Sequence, residues 1–83
     1  MKTTRYFDAT RVRRDRSDIQ AVWIQRVIDQ PEYQEIQADG RIRRWARIPE
    51  AGDKYLRVVL LPDTETVHNA FFDGVSNHES SVF

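Results

Sequence analysis

The second half of the chain consists of short segments in which apolar and polar residues alternate, separated by residues that form turns. Alternation with a period of two is typical of strands that bury one face. Asp39-Gly40 suits a tight hairpin turn, and Pro62-Asp63-Thr64 places proline at the second position of another. Residues 49–53 supply a longer loop. We therefore predict an antiparallel meander of four strands, at residues 33–37, 41–48, 54–61 and 65–72.

The first half of the chain carries helical signals instead. Residues 2–7 favour a brief strand, after which Asp8 is a candidate cap for a short helix that runs to Arg16. Ser17 and Gln20 then form a capping box, a hydroxyl N-cap followed by an amide three residues later. Apolar residues recur from there with helical spacing until Pro31 ends the pattern: Ile19, Trp23, Ile24 and Val27.

These elements predict an α+β fold, with one or two N-terminal helices packed on a four-stranded antiparallel meander sheet. Residues 2–7 are a candidate for an added N-terminal strand. A chain of 83 residues has room for one domain, which we place at residues 1–73. Residues 74–83 are small and polar until the last two, and we expect a tail that is mobile or docked on a partner.

Composition excludes several classes of protein. The absence of cysteine rules out a disulfide scaffold, a thiolate zinc finger and a cysteine nucleophile. The longest apolar runs, Ala21–Ile24 and Val58–Leu61, are four residues each, whereas a membrane-spanning helix needs about 20. The N-terminus also lacks the apolar centre of a signal peptide. We expect a soluble protein of the bacterial cytoplasm that does not associate with membranes.

The net charge of zero hides four alternating blocks. Residues 1–16 carry six basic and two acidic side chains, and residues 17–40 carry one and five. Residues 41–57 again carry six and two, and residues 58–83 carry none and four. A neutral total argues against a histone-like protein, but the two basic blocks keep nucleic acid open as a partner. Ion pairs with the acidic blocks would neutralise the two basic blocks.

Turn lengths fix a provisional register for the predicted sheet. The longer loop pairs Trp45 with Arg57, Arg47 with Tyr55 and Ala46 with Leu56, and a three-residue turn that pairs Leu61 with Glu65 sets Tyr55 against Phe71 and Val58 against His68. One face then collects Ile42, Ala46, Ile48, Leu56, Val58, Leu60, Ala70 and Phe72, and we expect the helix to cover it. The other, which we name the outer face, collects Arg41, Arg43, Trp45, Arg47, Tyr55, Arg57, Asn69 and Phe71, beside Val59, Leu61 and Val67.

The outer face has three interpretations. Arginines that neutralise phosphates and aromatic rings that stack on bases are typical of single-stranded RNA binding. The same residues suit a protein interface, in which arginine and aromatic side chains are enriched. They also suit ordinary sheet pairing, since a two-residue Asp39-Gly40 turn would set Glu32 against Arg47 and Glu35 against Arg44.

Candidate catalytic residues are few. His68, flanking Val58 with Arg44 on the core face, is the one histidine inside a predicted element, and Tyr55 and Arg57 are candidate companions for chemistry on phosphodiesters. A histidine in that position is more often a hydrogen-bonded structural residue. His68, Asp73 and His78 do not have the spacing of a metal site. The three glycines lie in turns or the tail, so they form no glycine-rich loop of the kind that binds phosphate. We therefore expect neither a metal nor a cofactor.

The segment from Gly40 to Asp73 resembles an uncharacterised family of small bacterial proteins similar in layout to the RelE/BrnT-like toxin superfamily. The residues that carry the resemblance are Gly40–Trp45, Ile48–Glu50, Lys54–Val59 and, most distinctively, Glu65–Asp73. Trp23 to Pro31 fits as well. The resemblance implies helices before an antiparallel sheet. It also implies a toxin-like component of a two-gene module, of a kind whose members include proteins that cut RNA with Arg, Lys, Tyr or His side chains.

Two functional hypotheses follow. In the first, the protein is a toxin-like component that contacts RNA through the outer face and binds a companion antitoxin-like protein, with ribonuclease activity left open. In the second, it is a non-catalytic interaction domain that self-associates or binds a companion protein, to which an exposed sheet of arginines and aromatic rings is suited. In both we expect a homodimer.

Overall fold

A computed structural model of the chain describes residues 2–10 and 19–73. The predicted α+β class is confirmed. In chain order the elements are β1 (Lys2–Thr3), α1 (Arg5–Thr10), α2 (Ala21–Asp29), β2 (Tyr33–Ile36), β3 (Ile42–Ile48), a 3₁₀ helix (Pro49–Ala51), β4 (Lys54–Leu60) and β5 (Thr66–Phe72). The strands form one sheet in the order β1-β5-β4-β3-β2. The predicted tail at residues 74–83 lies outside the described residues.

The N-terminal strand is present and runs parallel to β5, so the sheet is mixed rather than purely antiparallel. It is shorter than predicted, because the chain enters α1 at Arg5. The hydroxyl of Thr4 accepts the backbone N–H of Phe7 at 3.1 Å, which makes Thr4 the cap of this helix. The prediction that Asp8 caps it was therefore wrong. Residues 11–16, predicted as its continuation, lie outside the described residues.

Helix α2 begins later than the capping box predicts. Its N-cap is Gln20, whose side chain makes no capping hydrogen bond. Ile19 precedes the helix and is nevertheless almost completely buried. The predicted start at Ser17 was therefore wrong, although the apolar stripe was predicted well, since Ile24 and Val27 are buried and Trp23 packs against the core. The helix ends at Asp29, before Pro31 as expected.

The β2–β3 hairpin differs from the prediction by one residue. Gln37 donates its backbone N–H to Arg41 O at 2.7 Å, which leaves a three-residue loop rather than the two-residue Asp39-Gly40 turn. Only Gly40 of that pair has a positive φ. The register consequently sets Glu35 against Arg43 and Tyr33 against Trp45, so the predicted pairings of Glu35 with Arg44 and of Glu32 with Arg47 were wrong.

The β3–β4 hairpin has the predicted register. Trp45 faces Arg57, Arg47 faces Tyr55 and Ala46 faces Leu56. The connection is a 3₁₀ turn that ends at Gly52, whose backbone is left-handed. Arg26 of α2 donates two hydrogen bonds to the carboxylate of Glu50 in this turn, at 3.0 and 2.8 Å. The pair ties the helix to the end of β3.

The β4–β5 hairpin is where the predicted register fails. Leu61 donates to Thr66 O at 2.9 Å, so the turn is one residue longer than predicted. A bulge then leaves His68 without a residue opposite it, between the pairs Val59–Asn69 and Leu60–Val67. Arg57 consequently faces Phe71, and the predicted pairs Tyr55–Phe71 and Val58–His68 were wrong. Val67, assigned to the outer face, is completely buried in the core.

The core lies between the helices and one face of the sheet. Both helices contribute to it, α1 through Phe7 and α2 through Ile24 and Val27. The sheet contributes the residues predicted for its covered face together with Val67: Ile42, Ala46, Ile48, Leu56, Val58, Leu60 and Ala70 are buried, and Phe72 packs partly buried against them. In the described part of the chain, the outer face is the side of the sheet that carries no helix.

Candidate functional site

One row of side chains crosses the middle of the outer face. The register aligns Tyr33, Trp45, Arg57 and Phe71 on four neighbouring strands. The rings of Tyr33 and Trp45 lie 5.1 Å apart. The guanidinium of Arg57 lies 5.6 Å from the Trp45 ring and 4.6 Å from the Phe71 ring, within the range of cation–π attraction. The row is thus a continuous aromatic and cationic surface.

Asp73, directly after β5, holds this row in place. Its carboxylate accepts hydrogen bonds from Arg57 Nη2 at 2.6 Å and from Trp45 Nε1 at 2.8 Å. Burial raises the pKa of Asp73, but these hydrogen bonds and the charges of Arg57 and Arg43 outweigh burial and hold the pKa below its ordinary value. Asp73 is therefore a carboxylate at neutral pH. No hydrogen-bond partner for the buried Nε of Arg57 is found among the described residues.

The other arginines of the outer face are more exposed. Arg43 Nη1 lies 3.4 Å from Glu35, and Arg41 Nε lies 3.5 Å from Asp39. The backbone N–H of Arg47 donates to the carboxylate of Glu32 at 3.0 Å. Its side chain is exposed, and within residues 2–10 and 19–73 it has no ion-pair partner. Three of the four arginines are therefore already matched by carboxylates of the same chain.

The candidate catalytic residues do not share one site. Tyr55 and Arg57 are two residues apart on β4, on the same face. Tyr55 is level with Asp73, whose N–H donates to Tyr55 O. His68 lies five residues from Asp73 along β5, roughly 16 Å at the rise of a strand. A catalytic role for any of them stays a prediction, but the sheet does not bring His68 and Tyr55 together.

His68 instead contacts the N-terminal segment. Its ring stacks on Tyr6 with centroids 4.9 Å apart, and its Nδ1 lies 3.2 Å from the hydroxyl of Thr4. Burial lowers the pKa of His68, and the positive charge of Arg41 lowers it further. The ring is thus neutral at pH 7 and joins β5 to α1, as a structural histidine does.

Two polar residues have roles that the sequence did not reveal. The sequence does not assign Asp73 a partner, because the two donors that it binds lie 28 and 16 residues away in the chain. The one available signal was its position at the end of a strand beside Phe71 and Phe72. Arg44, predicted as an exception on the covered face, donates to Gln34 at 2.7 Å and to Ile28 O at 2.8 Å near the end of α2.

Two residues predicted for the outer face, Asn69 and Phe71, already make contacts within the protein. Within the described ranges, no three His, Asp or Glu side chains are grouped as metal ligands would be. No helix in those ranges is both long and apolar enough to cross a membrane. Comparisons with protein-family models, curated proteins and solved structures find no match for this chain.

Proposed function

We propose that the chain is a non-catalytic interaction domain that binds a companion protein through its outer face. The observation that supports this most directly is the pairing of Arg41, Arg43 and Arg57 with carboxylates of the same chain. A phosphate backbone would have to compete with those carboxylates. A protein surface can bury the rings of Tyr33 and Trp45 and leave the ion pairs in place.

The chemistry of the row is that of a protein interface. Tyrosine, tryptophan and arginine supply most of the binding energy in such interfaces, especially where they are held rigid before binding. Tyr33 is 61% exposed beside the ring of Trp45, which Asp73 holds in one orientation. A partner would therefore gain aromatic contact area without ordering the row itself.

The test uses the protein encoded by the neighbouring gene, purified and titrated into this chain by calorimetry. We expect a one-to-one complex that Tyr33→Ala weakens at least about 10-fold, because Tyr33 is an exposed aromatic side chain of the row that a partner can bury. Val22→Ala, which removes an equally exposed apolar side chain from α2, is the matched control and should leave the affinity unchanged. Absence of a complex, or equal loss in both variants, would contradict the proposal.

A second candidate function is a toxin-like component of a bacterial two-gene module, acting on RNA in the cytoplasm. The exposed Arg47 side chain and the neighbouring rings of Tyr33 and Trp45 favour it, because together they offer a cation and stacking surfaces. Induced expression in a bacterial host should then arrest growth and degrade RNA, and Tyr55→Phe or His68→Gln should relieve the arrest. Normal growth with intact RNA would exclude the ribonuclease.

A further inference from the structure

Among residues 2–10 and 19–73, strand β2 ends the sheet with an edge that no other strand pairs. The strand order places β2 at one end and β1 at the other. The β1 edge consists of two residues and leads directly into α1, which limits pairing there. All four residues of β2 are exposed, including the apolar Ile36 at 65%. An open edge of this kind is a template for another strand.

The backbone groups available at this edge follow from the ladder. Gln37 donates its N–H to Arg41 O, toward β3. Because inward and outward groups alternate in an antiparallel ladder, the backbone groups of Gln34 and Ile36 are directed away from β3. Neither lysine nor proline, the residues that commonly protect an edge, occurs in Tyr33–Ile36.

We propose that the edge formed by the end of β2 and Gln37 (residues 35–37) pairs antiparallel with the same edge of a second copy of this chain, with the two Ile36 residues directly opposite each other. The paired residues 35–37 do not include Tyr33, which belongs to the central row of the outer face, so this pairing does not depend on binding of a companion protein. A twofold axis perpendicular to the sheet keeps each face on its own side. Side chains that are paired across this axis must then lie on the same face of the sheet. Since successive side chains alternate between faces, the axis must pass between two copies of the same residue.

The side chains select among three registers, centred on Gln34, on Glu35 or on Ile36. Centring on Glu35 would place two carboxylates directly opposite, which is destabilising. Centring on Gln34 would set the apolar Ile36 against the carboxylate of Glu32. Centring on Ile36 buries isoleucine against isoleucine and sets Glu35 against Gln37, so it separates the charges and covers the apolar side chain. The zero net charge of the chain adds no long-range repulsion between copies.

Cysteine scanning tests this register, because the natural chain has no cysteine. Opposite residues in a hydrogen-bonded antiparallel pair have Cα atoms about 5.5 Å apart, within the range of a disulfide. Ile36→Cys should therefore oxidise to a covalent dimer on a non-reducing gel. Gln34→Cys is the matched control on the same strand and face, since its two copies would lie about 14 Å apart. Equal cross-linking, or faster cross-linking of Gln34→Cys, would overturn the proposal.

Analytical ultracentrifugation of the unmodified protein gives a second test. So short an interface falls below the roughly 1,000 Å² of a stable complex, so we expect a weak dimer that appears as concentration rises. Ile36→Lys should return it to monomer at every concentration, whereas Val22→Lys, equally exposed on α2, should not. Circular dichroism checks that both variants fold. A wild-type monomer at every concentration, or a dimer that survives Ile36→Lys, would overturn the proposal.

Discussion

One carboxylate, that of Asp73, fixes the positions of Trp45 and Arg57 on the outer face. It contacts a tryptophan of β3 and an arginine of β4 while it terminates β5, and so joins three strands through two hydrogen bonds. Hydrogen bonds to a charged acceptor are stronger than neutral ones. The Asp73 and Arg57 side chains are 31% and 23% exposed, so solvent screens their attraction only in part. Removing this charge should affect both stability and the orientation of Trp45.

Asp73→Asn should lower the free energy of unfolding by about 2 kcal/mol, less than the loss of a fully buried ion pair. The reason is that Arg57 keeps its burial but loses its counter-charge. Urea denaturation followed by circular dichroism measures the change. Glu35→Gln is the control. It removes the carboxylate of the Arg43–Glu35 pair, which is more exposed than the Arg57–Asp73 pair, and should cost less than about 1 kcal/mol. Equal costs would show that the Asp73 pair has no special role.

His68 gives the protein a pH-dependent contact. Burial and the charge of Arg41 hold its pKa below the ordinary value of 6.5, so the folded state binds a proton less readily than the unfolded state. The neutral ring contacts Tyr6 and Thr4, and protonation would add a second positive charge near Arg41. The sign follows from linkage: His68 contributes fully to stability above pH 6.5, and the contribution falls as the pH drops below 6.5 toward its folded-state pKa.

We therefore expect the urea midpoint of the wild type to fall between about pH 7.5 and about pH 5.5. His68→Gln removes the titrating group and should flatten the curve over that interval. Carboxylates contribute mainly at lower pH, since the hydrogen bonds from Arg26 lower the pKa of Glu50 to about 2, and those from Thr66 lower the pKa of Asp63 to about 2. A midpoint with the same pH dependence in both proteins would show that His68 does not titrate differently on folding.

At the scale of the elements, the bulge in β5 decides which side chains reach each face. One extra residue in a strand shifts every following side chain to the opposite face unless the turn compensates. The longer turn and the bulge at His68 together displace the register by two residues. Arg57 and Phe71 therefore remain on the outer face, while Val67, between turn and bulge, moves into the core. The position of the bulge, not the number of residues in β5, creates the central row.

The two turns at one end of the sheet pack against each other. Gly40 has a φ of +92°, and a Cβ there would lie 3.2 Å from Cγ of Pro62. Gly40→Ala should therefore cost about 2 kcal/mol, because left-handed strain and a close contact combine. Gly52→Ala, at a φ of +77° with open space around it, adds strain alone and should cost about 1 kcal/mol. Thermal unfolding of both variants checks this, and equal losses would mean that Pro62 moves aside.

At the scale of the whole molecule, described residues from all four charge blocks form ion pairs with residues of other blocks. The basic block 41–57 meets the acidic block 17–40 through Arg43–Glu35 and Arg41–Asp39, and Arg26–Glu50 joins the same blocks in the opposite sense. Lys2–Glu65 and Arg57–Asp73 join the acidic block 58–83 to each basic block. In the described part of the chain, opposite charges from different blocks thus meet inside the fold. Such exposed pairs add little stability individually, but they reduce the cationic character of the outer face.

The N-terminal segment is part of the single core. Phe7 is 2% exposed and packs with residues of α2 and the sheet. Phe7→Ala should cost about 3–4 kcal/mol, a large share of the roughly 4–12 kcal/mol expected for a domain of this size. Val22→Ala, a truncation at an exposed position, should change stability by less than about 0.5 kcal/mol. Similar urea midpoints for the two variants would contradict the placement of α1 against the core.

The fold class and much of the covered face were predictable because periodicity is a local property. Apolar residues at helical spacing identified α2, and alternation identified β3 and β4, whose register followed from the length of their loop. Element boundaries were less predictable. The cap at Thr4 depends on a side chain that also contacts His68, and the start of α2 at Ala21 overrides a capping box in the sequence. Local signals compete there, and packing decides between them.

By itself, the sequence determined an α+β domain with arginines and aromatic rings on one side of a sheet, because those features follow from the spacing of residues close together in the chain. Only the tertiary structure decided which arginines have partners. The carboxylates of Glu35, Asp39 and Asp73 reach them through a hairpin register, a loop and a strand end. Contacts between distant residues depend on register, and a single bulge changes register without any change in periodicity.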